Sequence, residues 1–181
     1  MKTLVLHPFD ETTNFLCDVY KKHQDWSVIR YFPGKKVLNK LIHTHDRIIL
    51  LGHGVPEGMG DVKTSTYWID CESVQYLRQK EVIGIWCYAS DFFKKYKIKG
   101  FATGMFISEL DEAYTNGVNC TQEDIIESNE LFASLVGGFY DRYDNIIKFY
   151  ISQHNKSGFK SSNAINPVTE FNRQLLEIIF Y

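Results

Sequence analysis

Two apolar runs constrain this chain more than anything else in it: Arg47–Leu51 (RIILL) and Val82–Trp86 (VIGIW). Each is too short for a globular helix, and apolar residues follow one another where a half-exposed strand would alternate. Such runs belong to strands buried on both faces, the habit of a parallel sheet. Helical patterns lie between and around them. Thr3–His7 reads as a first strand. Thr12–His23 places Phe15, Leu16, Val19 and Tyr20 on one helical face, with Asp10 or Thr12 able to cap it. Trp26–Phe32 reads as a second strand, stopped by Pro33-Gly34, and Lys35–His45 as a helix carrying Val37, Leu38, Leu41 and Ile42. A glycine-rich loop, Gly54–Gly60, precedes a short strand at Thr66–Ile69 and a helix near Glu72–Lys80. Ser90 or Asp91 can cap a helix running to Lys97. Gly100–Ile107 is a further strand and Glu109–Tyr114 a helix. This alternation predicts an α/β fold, a mainly parallel sheet with helices on both faces.

The last third is helical in pattern. Thr121 and Asp124 have capping-box spacing ahead of Ile125–Phe139. Asp141–His154 aligns Tyr143, Ile146, Ile147, Tyr150 and Ile151 on one face. Asn155–Asn166 is polar and loop-like, and Pro167 can open a last helix reaching Phe180. A chain of 181 residues fits one α/β domain over 1–181, with its core in 1–115 and its C-terminal helices in 121–181.

With 20 Lys and Arg against 22 Asp and Glu, the net charge is −2, which disfavours nucleic acid as the main partner. The basic run Lys94, Lys95, Lys97 and Lys99 reads as a solvated helix end. No apolar run reaches the length of a membrane span. The opening Leu4–Leu6 run is too short for an export signal. The four cysteines, Cys17, Cys71, Cys87 and Cys120, show no CxxC spacing, so no metal site is expected. They read as thiols of a reducing cytoplasm.

In an open parallel sheet, sites form beyond the carboxyl ends of the strands. His53 directly follows RIILLG, and Cys87 directly follows VIGIW. If those strands are neighbours, thiol and imidazole emerge at one edge, where the imidazole can take the thiol proton. The amides of Gly54 and Cys87 are candidates for an oxyanion hole. A helix starting past Cys87 would favour the thiolate. Glu57 and Asp61, in the loop after His53, and Glu109 and Asp111, after the strand beyond Cys87, are candidates for holding a substrate. The latter two serve equally as the acidic first turn of a helix. His7, at the end of the first strand, is a further candidate for a polar contact.

RIILLGHGVPEGMG followed by VIGIWCYAS resembles the caspase-like clan CD cysteine peptidases: caspases, metacaspases, clostripain, gingipain, separase and CHAT-domain proteases. In them His-Gly follows the third strand and the nucleophilic Cys follows the fourth. The resemblance covers about residues 1–115. It implies a caspase-like fold, His53 as catalytic histidine, Cys87 as nucleophile, a peptide or protein substrate, and no cofactor. A relative that kept the fold and lost turnover would be a binding or regulatory protein. A phosphate- or nucleotide-binding α/β protein is a third reading, but GxxxxGK[ST] is absent.

Overall fold

The computed structural model describes residues 1–61, 64–153 and 166–181. The chain divides into two compact units. The first takes Met1–Asn14, His23–Phe106 and Glu177–Tyr181; the second takes Phe15–Lys22 and Ile107–Leu176. The first unit is thus discontinuous, running to Phe106 and taking its last residues from Glu177–Tyr181.

In chain order the first unit contains β1 (Thr3–Leu6), β2 (Ser27–Ile29), α1 (Lys35–Thr44), β3 (Arg47–Leu51), β4 (His53–Val55), β5 (Gly58–Asp61) and β6 (Thr66–Ile69). Then come α2 (Val74–Leu77), β7 (Glu81–Ile85), α3 (Ala89–Tyr96) and β8 (Gly100–Thr103). The second unit adds α4 (Leu110–Thr115), α5 (Gln122–Phe139), α6 (Tyr143–Gln153) and α7 (Pro167–Arg173), after which the chain enters β9 (Leu176–Ile179).

Six strands form the main sheet in the order β2-β1-β3-β7-β8-β9. The β1–β2, β1–β3, β3–β7 and β7–β8 pairs are all parallel. The α/β expectation therefore holds, with a sheet that is mostly parallel. Every residue of β1, β3 and β8 is buried, as continuous apolar runs require. One face carries Leu4, Leu6, Ile48, Leu50, Val82, Trp86 and Ala102. It packs with Leu38 and Ile42 of α1, Val74 and Leu77 of α2, and Phe92 and Phe93 of α3. Each such large side chain removed from water contributes about 1.5–3 kcal/mol. At the strand starts, Arg47 donates to Glu81 at 3.0 Å, tying β3 to β7 across the register pair Arg47↔Glu81.

Several expected elements change character. The helix expected over Thr12–His23 is a 3-10 segment at Asn14–Val19. Asp10 accepts the Thr12 amide in a local turn, and such side-chain bonds compete with helix at the start. The strand expected over Trp26–Phe32 shortens to Ser27–Ile29, although the ladder continues as Phe9 N–H to Arg30 O at 3.0 Å. The glycine-rich loop is a strand region: β4, β5 and β6 form a separate antiparallel sheet. A Cβ at Gly58 would stand 2.0 Å from the Ile69 carbonyl oxygen. Glycine there permits close strand approach instead of marking a loop. Helix α3 is not capped by Ser90 or Asp91; both lie inside its first turn, behind Tyr88.

In the second unit, Thr121 accepts the Asp124 amide and Asp124 accepts the Thr121 amide, completing the expected capping box of α5. Ile107, Ala113, Ile125 and Val168 form an apolar cluster. Asn172 accepts from Ile107 N–H at 2.8 Å and donates to its carbonyl at 2.9 Å. The Tyr150 hydroxyl meets Ser128 Oγ at 3.0 Å, and burial pushes its pKa up to about 12. The last helix ends at Arg173 instead of Phe180, and Leu176–Ile179 is a strand, because this short apolar run completes the main sheet beside β8. Of the polar stretch Asn155–Asn166, only Asn166 lies within the described residues; it caps α7 by accepting from Val168 and Thr169 N–H. No helix among the described residues is long and apolar enough to cross a membrane.

Candidate active site

Strand order reverses between β1 and β3: from β1 the chain moves outward to β2, then returns to β3 on the other side. In open α/β sheets the crevice at such a switch point, beyond the carboxyl ends, is where ligands sit. β1, β3 and β7 are parallel neighbours, so the segments that follow them, with His7, His53 and Cys87, leave the sheet at its carboxyl end.

β3 and β7 are adjacent and parallel, with Leu51 opposite Ile85. Gly52 N–H donates to Ile85 O at 3.0 Å, the last rung of the pair. Beyond that rung the two chains part. Gly52, at φ +142°, turns out of the main sheet, and His53 opens β4 opposite Gly60. On the other strand, Trp86 and Cys87 follow Ile85 directly. His53 and Cys87 thus each stand two residues past a paired position.

The arrangement around Cys87 is pinned on both sides. Trp86 O accepts from Thr103 Oγ1 at 2.9 Å and from Ala89 N–H at 3.1 Å. Tyr88 N–H donates to Gly104 O at 3.0 Å. Tyr88 itself is left-handed, at φ 69°, and α3 begins directly after it. This is a sharp strand–turn–helix passage that lifts Cys87 off the sheet at the positive end of an eight-residue helix. The Cys87 thiol is half-buried and donates to Phe106 O at 3.7 Å.

His53 is held by the loop after β1. Its Nε2 lies 2.6 Å from Thr12 Oγ1 and 3.8 Å from Asp10 Oδ1. The same carboxylate oxygen accepts from the Thr12 hydroxyl at 2.7 Å and from the Thr12 amide at 2.9 Å. His7, on the same loop, is fully buried, with Nε2 3.3 Å from Thr13 Oγ1. Burial, and after it the Arg30 guanidinium, lowers its pKa to about 3, against the hydrogen bond with Thr13 and the Asp10 carboxylate. His7 is therefore a neutral structural imidazole beside the candidate dyad. Asp10 and Thr12 entered the sequence reading only as helix caps. What marks them is position: they follow the strand next to RIILL, so their loop shares an edge with His53.

Gly54 faces Met59 across the β4–β5 hairpin. A Cβ there would lie 2.1 Å from Trp86 Cδ1, so the indole occupies the space a side chain would need. Trp86 Nε1 also donates to Val55 O at 3.3 Å. Through these contacts the residue before Cys87 braces the strand that carries His53. The remaining candidates sit elsewhere. Glu57 is exposed at the tip of the β4–β5 hairpin, and Asp61, at the end of β5, accepts the Thr64 amide. Glu109 and Asp111 belong to the second unit. Glu109 is the N-cap of α4 in a capping box with Glu112, and Asp111 is in its first turn. Both carboxylates thus serve a helix start. None of the four cysteines is in a disulfide. No three His, Cys, Asp or Glu among the described residues form a group able to hold a metal ion.

No family model matches the chain, and no curated protein does. Among solved structures it is similar to a D-lactate dehydrogenase from Treponema pallidum, at 11% identity and a TM-score of 0.33, over 91% of this chain and 43% of that protein. The chain thus spans less than half the length of that dehydrogenase. A likeness this faint carries no argument. The class is set by the sheet itself, an α/β fold built on a mostly parallel sheet.

Proposed function

We propose that the chain is a caspase-like cysteine peptidase with His53 and Cys87 as its dyad. One observation carries the reading. β3 and β7 are the third and fourth strands of the main sheet in chain order, they are neighbours, and they deliver His53 and Cys87 to the same edge. The resemblance in sequence concerns the same two positions. In this mechanism His53 takes the Cys87 proton, and the thiolate sulfur attacks the scissile carbonyl. The Gly54 and Cys87 amides donate to the oxyanion, and the imidazolium returns its proton to the leaving amine. Water then attacks the thioester, releases the acid and restores the thiol. Peptide or protein is the substrate. Thiols outside any disulfide suit a cytoplasmic setting.

A second reading, a binding or regulatory relative without turnover, is favoured by the Cys87 S–H donating to the Phe106 carbonyl. A thiol engaged in that way is not offered as a thiolate. Fluorogenic peptides varied only at the residue before the cleaved bond, assayed with Cys87→Ala and His53→Ala, separate the two. A peptidase cleaves part of the panel and loses about 10³-fold or more in either variant, with the far-UV spectrum unchanged. Cleavage of none of them, with Cys87 no more reactive to iodoacetamide than Cys71, selects the second reading.

A further inference from the structure

The hydrogens around His53 can be assigned from the donor inventory alone. A carboxylate only accepts, so the single Thr12 hydroxyl hydrogen, 2.7 Å from Asp10 Oδ1, points at Asp10. Toward His53 Nε2, at 2.6 Å, Thr12 Oγ1 then has only lone pairs to offer. Nε2 therefore carries a hydrogen. Asp10 is itself fixed in place, because the same oxygen accepts the Thr12 amide at 2.9 Å. The turn that orients the carboxylate and the hydroxyl is thus closed within three residues, directly past the first strand.

We propose that Asp10 and Thr12 are positioning residues that hold neutral His53 in its Nε2–H tautomer and leave Nδ1 as the nitrogen that exchanges the Cys87 proton. The assignment of Nδ1 to Cys87 rests on the peptidase reading; the tautomer itself does not. No covalent chemistry falls to Asp10 or Thr12. The proton moves from Cys87 Sγ to His53 Nδ1, giving thiolate and imidazolium. The imidazolium's Nε2–H stays on Thr12 Oγ1, 3.8 Å from the Asp10 carboxylate. With the wrong tautomer, Nδ1 would already hold a hydrogen and could accept none.

The test is made on the full chain labelled with ¹⁵N-histidine, well above the ordinary titration range of histidine. The six histidines are sorted by comparison with His53→Gln. Long-range ¹H–¹⁵N spectra should show His53 with a protonated Nε2 and a bare Nδ1. Thr12→Ser should keep that pattern, since serine restores the hydroxyl. Thr12→Val, similar in size but without a hydroxyl, should give averaged nitrogen shifts from mixed tautomers. In the same variants Cys87 alkylation by iodoacetamide should fall by about ten-fold in Thr12→Val, given that a wrong tautomer can cost a triad far more, and should recover in Thr12→Ser. An unchanged Nε2–H pattern in Thr12→Val, or a protonated Nδ1 in the unaltered chain, overturns the proposal. If the tautomer follows Thr12 while the alkylation rate does not, the tautomer-holding role of Asp10 and Thr12 stands and the dyad reading fails.

Discussion

Gly54 and Trp86 express one packing constraint from two places in the chain. The indole lies where a Gly54 side chain would be, with a Cβ-to-ring separation of 2.1 Å. Gly54→Ala must therefore push the ring or the hairpin aside. The expected loss is about 3 kcal/mol, the upper range for overpacking, read as a lower urea midpoint. Cys87 alkylation should slow with it, because Trp86 is the residue before the thiol. His7 makes a different prediction. Its folded pKa is about 3, against an ordinary 6.5 in the unfolded chain. Between those values the unfolded state binds a proton that the folded state does not, so stability falls as pH drops through that window. The loss from pH 7 to pH 5 is about 2 kcal/mol at about 1.4 kcal/mol per pKa unit. Urea unfolding at both pH values should show a smaller difference in His7→Gln than in the unaltered chain. At this scale part of the candidate site can be picked out from sequence. His53 and Cys87 stand out because each directly follows an apolar run. Asp10 and Thr12 do not, because their link to His53 exists only once β1 and β3 are neighbours.

Among the elements, those with a strong local signal were the readable ones. β3 and β7 lie within a residue of their expected bounds, since burial on both faces leaves no other pattern. α1 has apolar residues at helical spacing and falls where expected. α5 begins after Thr121 because both halves of its capping box are present. Thr121→Ala should cost about 1 kcal/mol, and Thr121→Ser should restore most of it, measured by thermal unfolding. The elements that were misread are the short ones whose state depends on a partner. Leu176–Ile179 carries no period that separates strand from helix over four residues; its place beside β8 decides. The glycines of β5 resemble a loop until β6 is seen to cross close to them.

Over the whole molecule, the first unit is discontinuous: residues to Phe106 need Glu177–Tyr181 to complete the unit. A fragment of residues 1–106 lacks β9 and leaves the outer edge of β8 uncovered. Such an edge invites pairing between chains. The fragment should associate on size exclusion and unfold at lower urea than the full chain; a monomeric fragment of equal stability would contradict this.

The same discontinuity sets a clock. β8 closes at Thr103 and β9 opens at Leu176. At roughly 5–20 residues per second, synthesis of the intervening chain takes roughly 4–15 s. During that interval a nascent sheet hangs from the ribosome with one flank open. On a crowded polysome, neighbouring copies carry the same open flank at the same moment. Slower translation of the second unit lengthens that exposure, so yield of this protein should depend on how fast its middle is read as well as on how stable its end state is.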